Sequence, residues 1–213
     1  LRVNTLKAKR EKVLASLAHL GATPTPWSPI GLRIELGADA RNPGIHAEED
    51  FIKGAIEVQD EGSQLATLLS AAKPGEQVID LCAGAGGKTL ALAAMMQGKG
   101  RLIATDHDKR QLAPIYERLS RAGIHNADVR APKGEADPLA DIRASADLVL
   151  IDAPCTGTGT WRRNPDAKWR MRPGALEVRI KDQIAVLDRA ASLVKPGGRI
   201  AYITCSVLPQ ENN

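Results

Sequence analysis

The chain has 213 residues, room for one catalytic domain and a small companion. Hydrophobic residues make up 43%, but only three Trp, two Tyr and one Phe are present, so any core is mostly aliphatic. No apolar run approaches the ~18 residues of a membrane span, and the opening does not read as a secretion leader, so a cytoplasmic monomer away from the membrane is expected. The start at Leu1 and the stop after Asn213 suggest a piece of a longer protein.

The net charge of +4 is unevenly placed. Residues 1–12 carry +4, residues 161–181 carry +5, and the remainder is net −5. Two basic stretches on an acidic body suit a polyanion, although a solvated surface would show the same clustering. Cys82, Cys155 and Cys205 have neither metal-ligand spacing nor an even count, so neither a zinc site nor a disulfide framework is expected.

Val13, Leu14, Leu17 and Leu20 recur at helical spacing over residues 10–20, with Gly21 as a stop. Three prolines follow, and residues 31–36 alternate as a strand. A small α+β unit over 1–57 is the expectation, followed by a catalytic domain over 58–213. Asp60 should cap a helix reaching Ala71 or Ala72.

From residue 77 strands and helices alternate. Strands are predicted at 77–81, 101–105, 127–131, 147–151 and 199–204, and helices at 88–97, 108–122, 137–144 and 175–194, with Pro114 kinking the second. This order argues for an α/β fold with a mostly parallel, Rossmann-like sheet, in which ligands bind beyond the carboxyl ends of the strands.

The loop Cys82-Ala83-Gly84-Ala85-Gly86-Gly87-Lys88 ends the first of these strands and opens a helix. A P-loop fails here because Cys82 stands where its first glycine is needed. A dinucleotide fingerprint fails at Thr89. S-adenosylmethionine is the third reading, with the glycines against its amino-acid part. Asp106, 22 residues after Gly84, stands where a carboxylate would bind both ribose hydroxyls; Asp108 is the better helix cap.

Two cysteines end later strands, in Asp152-Ala153-Pro154-Cys155 and Thr204-Cys205-Ser206. A free cysteine is most often a small buried hydrophobe. Two of them on one rim, one beside an acid, suit a particular chemistry instead. Carbon 5 of cytosine attacks a methyl sulfonium only after a thiolate has added to carbon 6. Such a site needs a thiol, an acid at the base edge and a proton acceptor, and Asp152 with the two thiols offers candidates for all three.

With these stretches in view, the sequence resembles the Sun/Fmu-type (RsmB-like) RNA cytosine-5 methyltransferases. The matching segments are RVNTLK at 2–7, QDEGSQLA at 59–66, DLCAGAGGKT at 80–89, DAPCTGTG at 152–159, RRNPDAKW at 162–169 and TCSVLPQEN at 204–212. The resemblance implies that Cys205 is the nucleophile and that Cys155 assists release. It also implies that Asp152 meets the cytosine edge, while residues 82–88, Asp106 and Asp152 itself hold the cofactor. It implies RNA as partner, ribosomal RNA first and tRNA as the alternative. Arg2, Lys7 and Arg10 of the small unit, with Arg162, Arg163 and Lys168, are the expected RNA contacts, and Trp169 is expected to anchor its loop in the core. The family's acid near the adenine has no regular counterpart here, with Glu135 and Asp137 as stand-ins. Sheets of this type usually carry two further strands after the last one present. A noncatalytic RNA-binding protein on this scaffold, and a nucleotide-dependent dehydrogenase or phosphotransferase, are the competing readings.

Overall fold

The computed structural model describes residues 1–35, 43–134 and 136–213. The first unit contains β1 (Arg2–Val3), α1 (Arg10–Ser16), β2 (Thr23–Pro24), β3 (Leu32–Arg33), α2 (Glu49–Ile52) and β4 (Ile56–Glu57). β1 pairs with β4 and β2 with β3, both antiparallel. The expected helix over 10–20 stops at Ser16 and continues as a single 3₁₀ turn, closed by Gly21 in the left-handed region. The predicted strand over 31–36 is two residues long, and Leu36 lies outside the described residues.

A linking helix, α3 (Glu61–Leu69), starts at Asp60, whose carboxylate accepts the Gly62 N–H at 3.0 Å as its spacing predicted. The second unit then runs β5 (Gln77–Asp80), α4 (Gly87–Met95), β6 (Arg101–Thr105), α5 (Lys109–Leu112), α6 (Ile115–Ala122), β7 (Ala127–Arg130), β8 (Ala146–Asp152), α7 (Ala167–Arg170), α8 (Ala175–Leu193) and β9 (Val194–Ile203). Pro114 separates α5 from α6, because it lacks an N–H and its ring crowds the preceding turn.

The five strands form one parallel sheet in the order β7-β6-β5-β8-β9. Side chains alternate between its faces. Val78, Leu102, Ala104, Leu148 and Leu150 pack under α4 and α6, while Ile79, Ile103, Val149 and Ile151 pack with Ala190 and Leu193 of α8. The chain order reverses between β5 and β8, so a crevice opens at the carboxyl ends of those two strands.

The predicted helix over 137–144 is a series of turns. Leu139 and Ile142 are buried at helical spacing, but the backbone is held from outside. Arg130 Nη1 donates to Pro138 O at 3.0 Å, and the Ala144 and Ser145 amides donate to Ser192 O and Leu193 O.

The first unit docks on α6. Lys7 Nζ donates to Arg121 O at 2.6 Å and Asn4 Nδ2 to Ala122 O at 3.0 Å, which satisfies carbonyls at the helix end. Glu57 is buried between Arg118 (3.0 Å) and Arg121 (2.5 Å). Removing one member of a buried pair strands the other charge, so Glu57→Ala should lower unfolding free energy by about 3–5 kcal/mol, read from urea denaturation.

Candidate active site

Residues 81–86 carry the chain from β5 into α4 over the crevice. Gly84 (φ 50°) and Gly86 (φ 85°) lie in the left-handed region. A Cβ on Gly86 would stand 2.4 Å from Ile115 Cγ1, so the loop is pressed onto α6. Gly86→Ala should therefore cost about 2–4 kcal/mol through combined strain and overpacking, seen as a lowered melting temperature.

Asp106 ends β6 and faces this loop. Its Oδ2 accepts the Gly84 N–H at 2.9 Å, and its Oδ1 accepts the Asp108 N–H at 3.1 Å, with His107 Nδ1 at 3.0 Å. Asp108 caps α5 through the Arg110 N–H, as expected of it. Asp80, at the end of β5, was not singled out from sequence. It is fully buried and accepts the Thr89 hydroxyl at 2.6 Å, while its Oδ1 has no partner among the described residues. Burial pushes its carboxyl up to about 7.

The crevice is a cleft of about 970 Å³, lined on one side by residues 82–85, Lys88 and Asp106, and on the other by Asp152, Cys155, Arg163 and Cys205. Lys88 Nζ donates to Asp152 Oδ2 at 2.6 Å across it. β8 and β9 are parallel neighbours in register, Asp152 opposite Ile203, so both cysteine loops leave the sheet at the same level. Cys155 Sγ and Cys205 Sγ stand 3.3 Å apart. As a unit the pair gives up its first proton more readily than an ordinary thiol, because the remaining S–H donates to the thiolate, and it holds the second more tightly. Cys82 differs: burial pushes its thiol up to about 12, which leaves it inert as a nucleophile at neutral pH.

Of the expected RNA contacts, Arg2 is corrected. It is 1% exposed, and its Nε donates to Gln59 Oε1 at 2.7 Å inside the junction of the two units. The Lys7 ammonium is committed to Lys53 O and Arg121 O, and Arg10 Nη1 reaches Ser28 O at 3.4 Å. Arg163 lines the cleft and pairs with Asp60 at 3.3 Å. Arg162 is exposed, and the Lys168 ammonium lies 4.7 Å from the Trp169 ring. Trp169 is 79% exposed and so does not anchor the core, contrary to expectation; its ring lies instead against the Lys168 ammonium. Asp137 pairs with Arg189 at the surface, and Glu135 lies outside the described residues. Glu211, also missed, is buried behind the cysteine loops.

A parallel sheet in this order, with a glycine loop after its central strand and an acid after the next, is the Rossmann-like fold of S-adenosylmethionine-dependent methyltransferases. Its solved relatives agree. The crystal structure of PH0851 matches with a TM-score of 0.90 at 37% identity, covering 99% of this chain and 47% of that one. A methyltransferase homolog protein from Pyrococcus horikoshii matches at 0.79 and 30%, over 99% of this chain and 65% of that one. The chain belongs to the 16S rRNA methyltransferase RsmB/F family, whose model matches residues 66–213. Ribosomal RNA small subunit methyltransferase B of Salmonella arizonae is 36% identical over the whole chain. The chain spans about half the length of the curated relatives it matches.

Proposed function

We propose that this chain is the catalytic unit of an RNA cytosine-5 methyltransferase that uses S-adenosylmethionine and acts on small-subunit ribosomal RNA. The observation that carries this reading is the contact of two thiols at 3.3 Å, in one cleft with a glycine loop and a buried carboxylate. The donor set fits the cofactor. Left-handed glycines leave the loop backbone open to close approach at Gly84, where a Cβ would meet nothing. Asp106, which lines the cleft, offers acceptors to ribose hydroxyls. When bound, S-adenosylmethionine supplies an electrophilic methyl group.

The residues of the chain divide the remaining work. Cys205 adds as thiolate to carbon 6 of the cytosine, and its own proton has a receiver 3.3 Å away in Cys155. The addition makes carbon 5 nucleophilic. Asp152, oriented by Lys88, contacts the base edge and holds a proton at ring nitrogen 3, which takes up the negative charge that the addition pushes onto the ring. After methylation Cys155, once its proton has passed to solvent, takes the carbon 5 proton as base; the electron pair of that C–H bond re-forms the 5,6 double bond, the bond from carbon 6 to sulfur breaks, and Cys205 leaves as thiolate. Arg162, Lys168 and the exposed Trp169 stand outside the cleft as phosphate and stacking contacts for an unpaired target.

The test is transfer of a labelled methyl group to unmethylated 16S rRNA, followed by digestion to nucleosides. Label in 5-methylcytidine is the expected result. Label in another nucleoside, or only in tRNA, would overturn the corresponding part of the reading.

A further inference from the structure

We propose that Glu211 is a positioning residue that sets the contact between Cys155 and Cys205. The inference rests on the reading of those two thiols as the working pair, and it concerns a side chain that does not line the cleft.

Glu211 is 2% exposed, and among the described residues no cation pairs with it. A carboxylate buried without a counter-ion is costly unless its lone pairs are filled by hydrogen bonds. Here they are. Oε1 accepts the Thr156 N–H at 2.9 Å and Gln183 Nε2 at 3.0 Å, and Oε2 accepts the Thr156 hydroxyl. Burial raises the carboxyl pKa, but the hydrogen bonds outweigh it and hold the group below its ordinary value, so it stays charged.

The partners give this cluster its meaning. Thr156 directly follows Cys155, and Ser206 directly follows Cys205. The Thr156 hydroxyl donates to the carboxylate, Ser206 Oγ lies 3.3 Å from Thr156 Oγ1, and Thr158 Oγ1 lies 3.0 Å from Ser206 Oγ. Thr156 and Thr158 belong to the Cys155 loop and Ser206 to the Cys205 loop, so these hydroxyls clamp one loop to the other beside the carboxylate. Gln183 completes the frame by donating also to Pro154 O at 2.9 Å, on the other side of Cys155. The Gly159 N–H to Cys205 O bond at 2.9 Å and the Val207 N–H to Thr158 Oγ1 bond at 3.0 Å close the second loop onto the first. In Glu211→Gln one of the two oxygens that accept from Thr156 becomes an NH2 donor, so the Thr156 N–H and hydroxyl are no longer both held and the clamp between the loops loosens.

The test reads the sulfur contact itself. Diamide accepts two electrons and two protons from the two thiols, becoming the hydrazine, while a bond forms between Cys155 Sγ and Cys205 Sγ. Closure is followed as the link between tryptic peptides 144–162 and 200–213, with Cys82 as reference thiol. Glu211→Gln keeps the volume, and Thr156→Val keeps the charge, so one remains informative if the other fails to fold. Closure should slow by about tenfold or more in Glu211→Gln, as expected for displaced reacting groups. In Thr156→Val closure should also slow, and the pH midpoint for alkylation of the pair should move up towards that of an ordinary thiol. A side chain that merely stabilised the fold would change the melting temperature and leave that midpoint in place. Closure at the unsubstituted rate in both variants, with the midpoint unmoved, overturns the proposal. Closure needs neither RNA nor methyl donor, so failure here leaves the proposed function standing. Likewise, absence of methyl transfer by the unsubstituted chain leaves this result untouched.

Discussion

The Cys155→Ala protein, incubated with unmethylated 16S rRNA and S-adenosylmethionine, is expected to migrate on a denaturing gel as a covalent protein–RNA adduct. On the proposed division of roles, Cys205 still adds to carbon 6 in this variant, while the group 3.3 Å away that would assist its departure is removed. Turnover should fall by about 10²–10⁴, the range for loss of a group that moves a proton in the transition state. Cys205→Ala in the same background should abolish both the adduct and methyl transfer. The pair of results separates the roles of two sulfurs that stand in contact. An adduct that survives Cys205→Ala would reverse the assignment and make Cys155 the nucleophile.

Asp106→Ala should weaken S-adenosylmethionine binding by about tenfold to a hundredfold, measured by titration calorimetry, since hydrogen bonds to a charged group contribute roughly 1.5–3 kcal/mol. A carboxylate offers about four lone-pair sites. In this structure the Gly84 and Asp108 amides occupy two and the His107 ring lies against a third. His107 is exposed and free to swing aside, which leaves one site on each oxygen for a pair of ribose hydroxyls. The same substitution takes the Gly84 amide's acceptor away, so part of the loss should appear as a looser loop. Unchanged binding with an intact fold would place the ribose elsewhere.

Much of this arrangement is legible in the sequence because strand ends are marked by composition. Apolar runs followed by Asp-Leu-Cys-Ala-Gly, Asp-Ala-Pro-Cys or Thr-Cys-Ser put chemistry just past a buried strand, and the parallel sheet gathers those ends on one rim. The sulfur contact was not legible, since it depends on β8 and β9 being neighbours in a particular register. Basic residues near the start were misread for a related reason. Charge says nothing of burial, and Arg2 sits on a strand whose partner supplies Glu57 and leads to Gln59. The turns over 137–144 carry a helical pattern of apolar residues, but tertiary hydrogen bonds from Arg130 and to the end of α8 decide the backbone. Glu211 lay within a quoted motif, yet only the fold brings its carboxylate to Thr156.

Arg118 reaches in two directions at once. Its Nη2 meets the buried Glu57 of β4 at 3.0 Å, and its Nη1 donates to Ala85 O of the glycine loop at 2.7 Å. One guanidinium therefore ties the first unit's last strand to the glycine loop. Thermodynamic linkage makes such a tie work both ways: a ligand that tightens the loop also tightens the strand. Slowed amide hydrogen exchange at Ile56 and Glu57 on addition of S-adenosylmethionine would be its signature, and Arg118→Ala would uncouple the two.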